Sequence, residues 1–177
     1  MADHAKPGPG EAAPFYMRYI DAAPWATLDA ALEGSWRDFE RLLCGIGPDR
    51  EGRAYAPGKW TIRQLVQHVL DTERVMAYRA LCFARNDATA LPSFAEDDWA
   101  READGGHRRL RELIAEGRTV REATRHLFRS LTEAQGLRIG TANGSPMSAR
   151  GAGWVIAGHM MHHARILNER YLIDACP

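Results

Sequence analysis

The chain has little with which to build a covalent framework. Its three cysteines, Cys44, Cys82 and Cys176, are scattered over 177 residues without a CxxC pair. An odd, widely spaced set excludes a disulfide scaffold and reads as reduced thiols of a cytoplasmic protein. No apolar run approaches the roughly 20 residues of a membrane span, and the first ten residues lack the apolar stretch of a secretory signal. An excess of one charge is also missing. The 23 basic and 23 acidic residues cancel to a formal net charge of zero, so there is no electrostatic case for a nucleic-acid or anionic-membrane partner. Strand-like alternation of convincing length and internal repeats are lacking too.

What is present fits one globular domain, for which about 100–200 residues is the usual length. Apolar residues make up 45% and charged residues 26% of the chain, enough for a single core. Residues 1–14, with Pro7, Gly8, Pro9, Gly10 and Pro14, read as a flexible leader. Residues 15–177 read as the domain.

Four amphipathic segments follow. Pro24 suits a first helical position, and Trp25, Leu28, Leu32, Trp36, Phe39 and Leu43 recur at intervals of three and four. Gly45, Gly47 and Pro48 close that segment. Thr61 with Gln64 fits a capping box. It opens a second helix whose apolar arc holds Leu65, His68, Val69, Thr72, Val75, Met76 and Phe83. Asn86 to Asp104, with Pro92, Phe94 and Trp99, is a long connection of the kind that is often functional or partly helical. Leu110, Leu113, Ile114, Val120, Leu127, Phe128 and Leu131 mark a third helix. Gly136 to Ser148 reads as a polar loop, and Ser148 as the cap of a fourth helix through Val155, Ile156, His159, His163, Ile166 and Leu167. The pattern predicts an all-α four-helix bundle with long connections.

Histidine carries the chemistry. His4 lies in the leader, and His107 and His126 lie off the apolar stripe, so all three are expected at the surface. His68, His159 and His163 fall within the apolar arcs instead. Residues i and i+4 share a helical face, so His159 and His163 can grip one ion while a neighbouring helix supplies His68. Three imidazoles crowded into one interior need a cation or a hydrogen-bond network, because an unsatisfied buried polar group costs about 1–3 kcal/mol. Three ligands also leave coordination positions open, the mark of a catalytic metal. His162 can pair with His159 at i, i+3, but it lies about 100° from His163 and at the edge of the arc. It is therefore read as a flanking residue.

Two segments resemble a known family. The first, Lys59-Trp60-Thr61-Ile62-Arg63-Gln64-Leu65-Val66-Gln67-His68-Val69-Leu70-Asp71-Thr72-Glu73, is similar to the Trp-Ser/Thr…His-x-x-Asp-x-Glu stretch of the DinB/YfiT-like family, in its DinB-type branch. The second runs from Ala157-Gly158-His159-Met160-Met161-His162-His163 to Glu169-Arg170-Tyr171 and resembles the family's Gly-His-x-x-His-His…Glu-Arg-Tyr close. Leu91-Pro92-Ser93-Phe94 followed by Trp99 resembles the connection after the second helix. The resemblance runs from about residue 16 onward. It implies a four-helix bundle with a divalent metal on His68, His159 and His163, the trio that periodicity selects.

Imidazole ligands favour zinc or nickel over magnesium or calcium. The resemblance further implies a thiol S-transferase that uses a low-molecular-weight thiol. A metal-dependent hydrolase is the alternative, as is a non-catalytic, stress-associated bundle whose metal is structural or absent. Asp71, three residues after His68, is a candidate for orienting a ligand or moving a proton. Both Asp71 and Glu73 read first as helix-surface charges. Trp60 and Trp99 are candidates for a pocket mouth or for packing, and Arg170 for an anionic substrate or a carboxylate partner. A small-molecule substrate is expected, and the family suggests a homodimer.

Overall fold

The computed structural model describes residues 2–103 and 108–173. His107 and Cys176 lie outside them. Four long helices, α2 (Leu28–Cys44), α3 (Ile62–Ala84), α5 (Leu110–Arg129) and α7 (Ala149–Ile166), form the bundle. Shorter pieces fill the connections: α1 (Pro14–Ala22), α4 (Glu96–Ala103), α6 (Glu133–Gly136) and strands β1 (Ile139–Ala142) and β2 (Ser145–Ser148). The last helix continues as a π-helical turn, Leu167–Tyr171. Among the described residues no helix is long and apolar enough to cross a membrane.

The helix starts follow from local chemistry. Thr61 Oγ1 accepts from Gln64 N at 3.2 Å and Gln64 Oε1 accepts from Thr61 N at 2.8 Å, a reciprocal box that satisfies two free donors at the head of α3. Ser148 Oγ caps α7 by accepting from Gly151 N at 2.9 Å. Pro24 does not open a helix. Thr27 captures Ala30 N and starts α2 at Leu28, and Pro14 starts the additional helix α1.

Helix α7 is the axis of the molecule. Every residue from Gly151 to Met160 is buried, so this stretch has no solvent side, as expected where a helix is apolar all round, whereas Arg165 in its last turn is exposed. It packs against α1, α2 and α3. Small residues permit the close approach. At Gly158 a Cβ would stand 2.0 Å from the Tyr19 carbonyl oxygen, so only glycine lets α1 lie this near. The core divides along the axis. Phe83, Phe128 and Trp154 anchor one end, and Phe39, Leu65, Leu70 and Met160 the other.

Two expectations are corrected here. Residues read as a loose leader are tied to the bundle, where His4 is buried. Its Nε2 lies 3.1 Å from Phe128 O, and its own carbonyl accepts from Trp154 Nε1 at 2.9 Å. The stretch read as a polar loop forms an antiparallel hairpin, Ile139 opposite Ser148 and Ala142 opposite Ser145. Asn143 and Gly144 turn it with positive φ values of 51° and 68°, the backbone a tight two-residue turn requires. His126 is exposed, as its position off the stripe implies.

One ion pair crosses the bundle interior. Arg121 of α5 donates from Nε and Nη2 to the two carboxylate oxygens of Glu73 on α3, at 2.9 and 2.8 Å. Its Nη1 donates to Leu32 O and Ser35 Oγ of α2, and Met160 Sδ of α7 lies 3.3 Å from Nη2. Four helices thus meet at one guanidinium. Glu73, expected on the surface, is 2% exposed. Removing one partner strands a buried charge, so Glu73→Ala is expected to lower stability by about 3–5 kcal/mol, whereas a Glu73→Leu/Arg121→Met double variant loses far less. Urea unfolding of the two variants checks this, and equal losses would contradict it.

Candidate metal centre

His68 sits in the second turn of α3, and His159 and His163 lie one turn apart on α7, the helix pair in most extensive contact. The three rings converge edge to face, with centroids 4.4–5.0 Å apart. His159 Nε2 is 3.1 Å from His68 Nε2 and 3.0 Å from His163 Nε2. A donor nitrogen from each ring lies within 4.8 Å of the others. The side chains are 4, 7 and 9% exposed for His68, His159 and His163.

The donor set fits a divalent cation better than it fits a hydrogen-bond network. A neutral imidazole nitrogen carries either one proton or one lone pair. His159 Nε2 faces two other ring nitrogens and can satisfy only one of them. A cation would instead take a lone pair from each ring. Metal–nitrogen bonds of about 2.0–2.1 Å place neighbouring donors about 2.9–3.4 Å apart, which brackets the two contacts at His159.

Burial keeps the rings uncharged. It lowers His68 from 6.5 to about 4, against a smaller upward pull from the Asp97 carboxylate. His163 falls to about 3, through burial and then the neighbouring His68 and His162. His159, wholly enclosed, lies well below its ordinary value for the same reasons. Lone pairs are therefore available at neutral pH without competition from protons.

Neighbours hold the rings. Trp60 lies tilted against His68 at 4.7 Å between centroids, and Tyr19 of α1 meets His159 edge on at 5.7 Å. A cavity of about 650 Å³ opens beside His163, with Trp60, Gln64, Asp97, Arg101 and Tyr171 in its wall.

Other candidates lie elsewhere. His162 stands outside the converging set: its ring meets that of His163 at 5.1 Å and Tyr19 at 5.4 Å, and it lines a separate hollow with Arg18 and Arg165. Asp71 is half-buried, accepting from Gln67 Nε2 at 2.9 Å and Arg74 Nη1 at 3.4 Å. It faces an apolar groove with Phe94 and Trp99, so Trp99 belongs to that groove and not to the cavity beside His163. Arg170 lies over the Tyr55 ring at 5.5 Å.

Sequence reasoning missed Arg121, Tyr19 and Asp97. Arg121 was within reach, because it stands seven residues from both Ile114 and Phe128, on the buried stripe of α5. Tyr19 and Asp97 carried no periodic signal, being in short helices inside regions read as leader-proximal chain and connection.

Comparison with known proteins gives concordant matches. The model of the DinB superfamily matches residues 31–167. The chain is similar to a Geobacillus thermodenitrificans protein named "Putative metal-dependent hydrolase", 28% identical over 165 residues that cover 89% of each chain. A Geobacillus kaustophilus protein of the same name is 29% identical over 140 residues, 76% of each chain. Among solved structures, YfiT from Bacillus subtilis, described as having an unusual four-helix bundle topology, superposes with a TM-score of 0.72 at 19% identity, covering 93% of this chain and 90% of the other. A mycothiol-dependent maleylpyruvate isomerase superposes with a TM-score of 0.65 at 15% identity, covering 78% and 58%. These two likenesses are of fold. The family match spans the bundle from the first turn of α2 to Leu167 and encloses all three converging histidines: the chain belongs to the DinB superfamily.

Proposed function

We propose that the protein is a metal-dependent enzyme that holds one divalent cation with His68, His159 and His163 and hydrolyses a small molecule admitted by the cavity beside His163. The observation that carries this reading is the convergence of three buried, uncharged imidazoles, one of which, His163, lines that cavity. The names of the Geobacillus relatives support hydrolysis as the reaction class. Imidazole donors favour zinc or nickel. When bound, the cation supplies Lewis-acid polarisation of a carbonyl, water or thiol.

The chain's own residues do the rest. Neutral ligands leave the cation's charge uncancelled, which strengthens that polarisation. Trp60 and Tyr19 restrict the rings of His68 and His159. Trp60 and Tyr171 give the cavity an aromatic wall. A purely structural cation would be closed off by protein, and the cavity beside His163 argues against that alternative.

Thiol S-transfer, with a low-molecular-weight thiol as co-substrate, is the second reading. The fold likeness to a mycothiol-dependent isomerase favours it.

Mass spectrometry of the isolated protein is expected to find one zinc or nickel per chain, lost in His68→Ala, His159→Ala and His163→Ala. Substoichiometric metal that these substitutions leave unchanged would overturn the proposal. Titrating the cobalt-substituted protein with small thiols separates the two reactions. S-transfer predicts a new thiolate band, and a ligand field unmoved at millimolar thiol would remove its support.

Acid stability of the metal-free protein gives a third check. Between pH 6.5 and about 4 for His68, or about 3 for His163, the folded rings stay neutral while the unfolded ones are protonated. Unfolding then takes up protons, so stability is full above pH 6.5 and declines as pH falls, by about 1.4 kcal/mol per pH unit for each such ring. Urea midpoints between pH 7.5 and 5 should show that decline, shallower in His163→Ala.

A further inference from the structure

We infer that Asp97 of α4 is the positioning carboxylate of the three-histidine centre, the negative charge that strengthens cation binding there and meets a proton-bearing molecule in the cavity. The inference rests on the proposed cation at His68, His159 and His163. Three uncharged imidazoles bring no negative charge to a divalent ion, so a carboxylate placed nearby has a large effect on binding. Carboxylates that hydrogen-bond a metal's ligands commonly change its affinity about 10–100-fold; Asp97, exposed on the cavity wall, acts through its charge instead.

Sequence spacing points to Asp71 and Glu73 for this role, and the structure commits both elsewhere. Glu73 is neutralised by Arg121. Asp71 is engaged by Gln67 and Arg74 on the opposite groove. Glu51 accepts from Leu110 N at 2.8 Å and pairs with Arg109. Asp97 differs on each count. It shares the cavity wall with His163. It makes no ion pair among the described residues, because Arg101, one turn on, pairs with Asp98 instead. Its charge is the one that acts on His68.

The placement of Asp97 is set by packing. Ala100 is buried, and its carbonyl accepts from Gln64 Nε2 at 3.4 Å. Gln64 is four residues before His68, on the same face of α3. The capping-box residue that starts α3 thus also holds α4 over the face that carries His68. Asp97 is presented to the cavity by a helix anchored to the ligand's own helix.

The test is cobalt(II) binding to the metal-free wild type, Asp97→Asn, Asp97→Glu and Asp98→Asn, followed by the d–d absorption and with far-UV circular dichroism confirming the fold. Asp98→Asn removes the same charge from the adjacent residue and controls for net charge. Expected are a dissociation constant about tenfold weaker in Asp97→Asn, near-wild-type binding in Asp98→Asn and substantial recovery in Asp97→Glu. Affinity of the wild type should also fall more steeply with ionic strength than that of Asp97→Asn, because screening acts on the charge that the variant lacks. Wild-type affinity in Asp97→Asn, or equal weakening in both asparagine variants, would overturn the role of Asp97 while leaving the histidine centre intact. A wild type that binds no cobalt would overturn the centre itself, and this inference with it.

Discussion

Everything in this bundle depends on a stretch of helix without a solvent side. Residues Gly151 to Met160 of α7 are buried all round, so each polar group on it must find its partner within the protein. An ordinary amphipathic helix turns its polar residues to water. Helix α7 cannot do so for His159, which is enclosed by α1, α3 and its own next turn. The small residues of α7 make the enclosure possible. Without a Cβ at Gly158, the backbone of α1 comes close enough to set Tyr19 against His159 and His162. The packing that builds the core is therefore also the packing that dries the histidines.

Drying has an electrostatic consequence. A buried imidazole resists protonation because charge is poorly solvated in the interior, and His68, His159 and His163 all shift downward with burial as the leading cause. The same environment leaves their lone pairs free of protons at neutral pH, while His159 Nε2 can satisfy only one of the two ring nitrogens that face it. Neighbouring aromatic rings complete the confinement, with Trp60 on one side and Tyr19 on the other.

Much of this was legible in the sequence. Stripes at intervals of three and four located all four long helices, and side-chain chemistry at Thr61, Gln64 and Ser148 located two of their starts within a residue. His68, His159 and His163 stood out because polar side chains on apolar arcs need a reason. What escaped had short range or long range. The hairpin escaped because four-residue strands show almost no alternation, although Asn143-Gly144 is the strongest local turn signal available. Helix α1 has only nine residues, too few for a stripe. His4 was taken for surface because composition describes a segment's freedom and says nothing of a docking site on Trp154 and Phe128. The Glu73–Arg121 pair spans 48 positions, and no local pattern reports which two charges will meet.

Helix α3 carries two buried polar groups whose hydrogen-bonding states differ. Glu73 and His68 lie on the same helix, and both are nearly inaccessible to solvent. Glu73 is closed: both of its oxygens accept from one guanidinium, which spends its remaining donors on Leu32 and Ser35. Nothing is left to bind. His68 is open, since its Nε2 shares the His159 nitrogen with His163 and the three cannot all be satisfied by one another. A protein interior tolerates the first arrangement as architecture. The second leaves a ring nitrogen without a partner beside a cavity, and that is the observation behind the proposed cation.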